Sequence, residues 1–234
     1  MKRSMIRSSQ SKPLVWRVRF DMAIRAALGL FFALSAGLYF HNAFAHWHKI
    51  AGAKSWFMQA ADGFSIFAIG LYTFMIACLY ALRLRPVNKF AGIKPAITAI
   101  MGGFLVAGLL FLPPRADLPL YAVLTSIALI IIGNLFAVIA LSHLGRSFSI
   151  LPESRKLVMS GPYRFVRHPL YVAEAIATLG AMINFLSPAA VALVAAQFLL
   201  QLGRIHYEEK TLRANFPAYT KYSTHTARLV PGLY

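Results

Sequence analysis

Acidic residues are scarce in this sequence: 7 Asp and Glu stand against 24 Lys and Arg, a formal net charge of +17. Cysteine is scarcer still. Cys78 stands alone in an apolar run, which excludes a disulfide framework and a cysteine-based metal centre. Charged residues of either sign make up 13% of the chain, while 59% is hydrophobic. Ordinary soluble domains run at about 25% charged and 45–50% apolar. The apolar excess is gathered into long runs, so the chain reads as an all-α, polytopic helical membrane protein. Its positive charge raises the question of nucleic acid, but the basic residues form no single stripe, and no nucleic-acid partner is expected. The basic start leads into a full-length apolar span with no small-residue cleavage site after it, so no signal peptide is expected.

In chain order, residues 1–20 form a basic, serine-containing tail, expected to be part amphipathic and part disordered. Residues 21–142 carry four apolar spans, placed at about 23–40, 56–82, 96–112 and 118–141, each long enough for a bilayer. Between the first two lies a histidine-rich stretch with His41, His46 and His48. No carboxylate or cysteine accompanies it and its spacing fits no zinc pattern, so an interfacial loop is expected, with Trp47 and Trp56 as belt residues. Residues 83–94 form a basic connection stopped by Arg85-Pro86, and Pro113-Pro114 marks a tight turn before the fourth span. Asn134, inside that span, reads as glue between helices. Residues 143–234 form the third region: a polar loop, two short apolar segments at 171–185 and 188–202, then a charged stretch at 204–222. The two segments predict a short helical hairpin and the charged stretch a cytoplasmic C-terminal helix, giving about six membrane segments in all.

With six crossings, every basic residue except Lys49, Lys54 and Arg115 falls on the side of the two termini. The positive-inside rule then puts both termini in the cytoplasm, with a bacterial inner membrane as the setting.

The placement of the few carboxylates is informative. Asp21, Asp62 and Asp117 sit near span ends, Glu153 lies in the polar loop, and Glu208 and Glu209 follow the hairpin. Glu174 lies inside an apolar segment, where a carboxylate is a functional candidate by default; pairing with Arg167 is the competing structural reading. Arg204 and Glu208, four apart, can form an ordinary helical ion pair.

The polar loop concentrates Ser160-Gly161-Pro162-Tyr163 and Arg167-His168-Pro169-Leu170-Tyr171. After the hairpin come Arg204, Glu208-Glu209 and Leu212, then Phe216, Tyr219 and Tyr222, then Arg228 and Pro231. In this order and spacing the set resembles the isoprenylcysteine carboxyl methyltransferase family of membrane methyltransferases, over residues 143–234. The resemblance implies S-adenosylmethionine as cofactor, in a pocket under the cytoplasmic loops that lipid-soluble substrates reach from the bilayer. It implies that Arg155, Lys156, Leu157 and Val158 line the pocket, that Tyr163, His168, Pro169, Leu170 and Tyr171 form its wall, and that Glu208 holds the cofactor. Arg204 would face the methyl acceptor. Two positions depart from the family pattern: Ala173 and Pro217 stand where glycine is usual.

The implied reaction is methyl transfer to a lipidic or small apolar acceptor, whether carboxylate, phenol, thiol or amine. A carboxylate needs orientation by Arg204 and no base. A phenol, thiol or amine benefits from a base, for which Glu174 and His168 are the candidates. Glu174 is not carried over from the prenylcysteine enzymes. Two other readings compete: a membrane NADPH-dependent sterol-type reductase, and a non-enzymatic transporter or assembly factor using the histidine stretch as a metal port.

Overall fold

The computed structural model describes residues 11–49, 56–84, 92–151 and 155–232, with side chains from residue 21 to residue 48 in the first of these. The start of the basic tail, Lys54, most of the 83–94 connection with Arg85-Pro86, and Glu153 lie outside the described residues. Seven α-helices are described: α1 (Ser11–Lys49), α2 (Trp56–Leu82), α3 (Ile93–Phe104), α4 (Leu120–Leu144), α5 (Pro169–Ile183), α6 (Pro188–Asn215) and α7 (Pro217–His225). A 3-10 segment, Leu105–Phe111, prolongs α3 toward Pro113-Pro114. The one β feature among the described residues is an isolated parallel bridge, Val166 to Ala227.

Five helical stretches are long and apolar enough to cross a membrane. The chain is an all-α polytopic membrane protein. The sixth expected segment, α5, has 15 residues. At 1.5 Å per residue it reaches about 22 Å, short of a hydrocarbon core of about 30 Å. Large apolar side chains such as Leu30, Leu110, Phe111 and Leu199 are exposed on the outer faces, where lipid would cover them.

Two expectations are corrected. The histidine stretch is not a loop: residues 41–49 are the last turns of α1, and His46 Nδ1 lies 3.2 Å from the Asn42 carbonyl one turn back. Nothing in that stretch breaks a helix, since it contains neither proline nor glycine. Trp47 faces α2, with its ring near Gly63, Phe64 and Phe67, whereas Trp56 is exposed. The hairpin is also asymmetric. Its second arm, α6, runs unbroken for 28 residues, so the charged stretch after 202 continues the same helix. Leucine, arginine, glutamate and lysine propagate helix well enough to carry it past Gly203, and no proline comes before Pro217. Phe216 is extended (φ −132°, ψ 100°), as a residue before proline prefers, and Pro217 then starts α7. Proline at 217 thus divides the C-terminal helix in two.

The starts of α5 and α6 follow from local chemistry. Pro169 takes the first turn of α5, where a missing N–H costs nothing. Pro188 does the same for α6, and Ser187 Oγ accepts the Ala190 N–H at 3.2 Å. α4 and α5 pack at backbone distance. A Cβ on Gly133 would stand 2.5 Å from the Ala177 nitrogen, so only glycine fits there. Ser126 Oγ donates to the Gly180 carbonyl across the same seam at 2.8 Å. Ala173, at a position where the family pattern has glycine, is fully buried in a core with Ile76, Leu79 and Tyr80 of α2 and Ala137, Ala140 and Leu141 of α4. α1 lies along α2, and α6 packs chiefly on α3. The end of α4, the loop to α5, the start of α5 and the second half of α6 therefore converge at one end of the bundle.

Candidate functional site

At that end opens a cleft of about 840 Å³, open solvent at its mouth included. Ten of the twelve residues expected to hold cofactor or acceptor line it. Lys156, Leu157 and Val158 come from the loop, with Tyr163 from a 3-10 turn (Gly161–Arg164). His168, Leu170 and Tyr171 lie at the start of α5, and Arg204 and Glu208 on α6. Arg155 lines the cleft too, but its guanidinium is engaged elsewhere: Nε donates to the Leu84 carbonyl at 2.7 Å and an Nη lies 4.0 Å from Asp21. Asp21 also holds Arg83 at 2.6 Å and Arg25 at 2.8 Å, so it ties α1, the end of α2 and this loop together. Pro169 and Glu174 are outside the lining. Pro169 is buried as the first residue of α5.

Glycine sets the turn that carries Tyr163. Gly161 has φ +60°, and a Cβ there would strike the His143 ring. The Tyr222 hydroxyl donates to the Tyr163 carbonyl and fastens α7 to this turn. Burial, with the charge of Glu208 adding to it, raises the Tyr163 phenol far above its ordinary range. Tyr222 is pushed up to about 12, chiefly by desolvation, and Tyr219 is raised by burial with Glu209 beside it. These three phenols stay neutral at any physiological pH and serve as aromatic walls with hydrogen-bonding tips.

Two neighbouring glutamates on α6 have different partners. Glu208 faces the cleft, with 24% of its side chain exposed, and accepts the Tyr171 hydroxyl. Glu209 points away and is nearly sealed, at 4%. It receives Arg167 Nε at 2.9 Å, and Arg228 Nη2 and Arg213 Nη2 at 3.0 and 3.3 Å. His168 stands between the two carboxylates: Nε2 is 3.3 Å from Glu209 and Nδ1 is 3.8 Å from Glu208. Arg167 also donates to the Ser223 and Thr226 carbonyls, while its backbone N–H reaches the Ala227 carbonyl at 2.8 Å. Glu209 therefore clamps the 167–168 turn to the chain's C-terminal segment and presents His168 to the cleft.

The expected ion pairs of the membrane-side residues are not the ones formed. Arg204 does not pair with Glu208. Its guanidinium lies 4.9 Å from the centre of the Tyr171 ring, Nη1 donates to Gln201 Oε1 at 3.3 Å, and Nη2 is 3.5 Å from the Ile150 carbonyl. Its buried Nε has no partner among the described residues. Glu174 does not pair with Arg167, whose charge is spent on Glu209. The Tyr72 hydroxyl donates to one oxygen of Glu174 at 2.8 Å and Gln201 Nε2 to the other at 2.9 Å. Tyr72 and Gln201 carried no signal in the sequence. Each reads as an ordinary span residue until a partner 102 or 27 positions away is brought beside it. The structure thus gathers a carboxylate, a histidine and neutral phenols around a cleft, with one arginine stacked at its floor.

Residues 126–214 match the model of the Isoprenylcysteine carboxyl methyltransferase (ICMT) family. This region of the chain is ICMT-like. The matched range takes in most of α4, the whole cleft-lining loop, the 160–174 cluster and all of α6 but its last residue. Among curated relatives, the chain is 33% identical over 112 residues to Protein-S-isoprenylcysteine O-methyltransferase B of Arabidopsis thaliana, covering 45% of this chain and 57% of that one. It is 34% identical over 138 residues to the Cobalt-zinc-cadmium resistance protein CzcN of Cupriavidus metallidurans, covering 56% and 60%. It is 36% identical over 114 residues to the Nickel-cobalt-cadmium resistance protein NccN of Alcaligenes xylosoxydans xylosoxydans, covering 46% and 52%. The chain thus spans little more than half the length of the curated relatives it matches.

Proposed function

We propose that this protein is an integral membrane methyltransferase that binds S-adenosylmethionine in the cleft beside Glu208 and methylates a lipidic or small apolar acceptor. The observation that carries this reading is the Glu208–Tyr171–Arg204 arrangement at the floor of the cleft, inside the ICMT-like region. The donor set fits the cofactor. The open carboxylate of Glu208 can accept from ribose hydroxyls or pair with an ammonium group. The Tyr163, Tyr171, Tyr219 and Tyr222 rings offer faces to adenine and to a sulfonium cation. The orphaned Arg204 Nε is a buried donor in need of an acceptor.

When bound, the cofactor supplies an activated methyl group. The rest is positioning by the chain. Lys156, Leu157 and Val158 close one side, His168 faces the polar end, and Pro169 and Leu170 hold the start of α5 in place. Arg204 orients the acceptor, and the apolar helices keep water from the reacting atoms, so that alignment lowers most of the barrier. The distribution of basic residues supports cytoplasmic termini and, with the bacterial relatives, a bacterial inner membrane. The cleft would then draw cofactor from the cytoplasm and acceptor from the bilayer.

The relatives' names divide between isoprenylcysteine methylation and metal resistance. The cleft favours methyl transfer as the chemistry and leaves the acceptor open. Incubating the purified protein with methyl-tritiated cofactor and a total bacterial lipid extract tests this reading. Label transferred to an organic-soluble product, and lost in Glu208→Ala, is the expected outcome; no transfer of label to any lipid in the extract would count against it.

A further inference from the structure

Glu174 lies in the second turn of the apolar helix α5, without an ionic partner among the described residues. Both its oxygens accept from neutral donors, Tyr72 Oη at 2.8 Å and Gln201 Nε2 at 2.9 Å. Both oxygens are thus engaged by side chains that carry no charge. No cation stands within ion-pairing distance of it among the described residues; Arg204 is reached only through Gln201, whose Oε1 accepts from Arg204 Nη1 at 3.3 Å. Tyr72 belongs to α2 and Gln201 to α6, two helices that otherwise hardly touch. The three residues therefore bridge a seam between α2 and α6, floored by α5. Glu174 is only half-buried in that seam. One helical turn earlier on α5, Tyr171 lines the cofactor cleft. A carboxylate in an apolar helix that is met only by neutral donors is costly to maintain, which makes it a candidate for function.

We propose that Glu174 is the base for a neutral acceptor whose reacting oxygen, nitrogen or sulfur carries a proton, and that it selects such acceptors over carboxylates. This rests on the methyltransferase reading above. In the step, a lone pair of the acceptor atom forms the bond to the methyl carbon. The methyl–sulfur bond breaks with its pair going to sulfur, and the acceptor's proton passes to Glu174. The sulfonium charge and the carboxylate charge vanish together, which a low-dielectric site favours. A carboxylate acceptor has no proton to give. It would also bring a second negative charge beside Glu174, with Glu208 nearby and Arg204 as the shared cation. The Tyr72 hydroxyl on Glu174 already shows the geometry by which a phenolic acceptor could dock there.

The test is equilibrium binding, without cofactor, of tritiated 4-dodecylphenol and of dodecanoate to the protein in nanodiscs. The wild type is expected to prefer the phenol by about tenfold or more. Glu174→Gln is expected to lose that preference, Glu174→Asp to keep part of it, and Tyr72→Phe, which leaves the carboxylate in place, to retain it. A wild type that prefers dodecanoate, or a preference unchanged in Glu174→Gln, would overturn the proposal, and the wild-type comparison holds even if a variant fails to fold. Cofactor affinity is measured on the same samples. Normal affinity without phenol preference overturns the role of Glu174 alone, whereas absence of cofactor binding by the wild type removes the methyltransferase reading itself.

Discussion

Glu174 and Glu209 lie in the same C-terminal region, and their surroundings set them apart. Glu209 is ringed by Arg167, Arg213, Arg228 and His168, at 2.9 to 3.3 Å. Glu174 has a phenol and an amide. The first has its lone pairs filled by charged donors and joins three separate pieces of chain, which is the work of a structural clamp. The second has no ion pair among the described residues and reaches Arg204 only through Gln201, in a seam that is not closed. Burial alone would have ranked Glu209 as the more suspicious residue; the kind of partner reverses the order. Glu208 stands between these extremes, with one neutral partner, Tyr171, and an open side toward the cleft.

The largest effect should come from breaking the clamp. Glu209→Ala takes away the carboxylate that Arg167, His168 and Arg228 share and leaves Arg167 only the Ser223 and Thr226 carbonyls, and removing one member of a buried ionic group costs about 3–5 kcal/mol. Thermal unfolding in detergent should show a large loss of stability, with release of the 219–232 segment detectable by proteolysis. The next effect belongs to the cleft. Glu208→Ala removes a charge-assisted acceptor worth about 1.5–3 kcal/mol, so cofactor affinity should fall about tenfold to a hundredfold while the melting temperature stays near that of the wild type. An equal loss of stability in both glutamate variants would erase the distinction between clamp and ligand. Smaller still is Tyr72→Phe, which removes one neutral donor from Glu174 and should change stability by about 1 kcal/mol, measured by the same melts.

The smallest effect is a pH effect. Tyr222 is pushed up to about 12 in the folded protein from an ordinary 10.0. A group whose folded value is raised contributes stability that is complete below its unfolded value and declines as pH rises through the folded one. Stability should therefore begin to fall above about pH 10, through Tyr222 and its neighbours, and Tyr222→Phe should flatten that decline. A decline unchanged in Tyr222→Phe would remove this residue from the account.

Much of the framework was legible in the sequence. Apolar runs marked the spans, the segment beginning at 188 marked the start of α6, and the 160–171 cluster supplies residues of the cleft wall. What was not legible depends on long-range contact. Polar residues after 202 suggested that the span ended, yet α6 continues, because polarity ends a membrane segment without ending a helix. Arg204 and Glu208 have the spacing of an ion pair. The Tyr171 ring takes Arg204 and the Tyr171 hydroxyl takes Glu208, which no spacing rule contains. The same holds for Asp21: it looked like an ordinary span-end residue, and it holds Arg83 and approaches Arg155 from across the fold.

The most direct test of the central claim is calorimetric titration of S-adenosylmethionine into the detergent-purified protein, beside Glu208→Ala and His168→Ala. Saturable binding by the wild type, weakened in both variants while both remain folded, is the predicted result. A folded wild type that releases no heat and shows no saturation, or variants that bind as tightly as the wild type, would contradict the placement of the cofactor in this cleft.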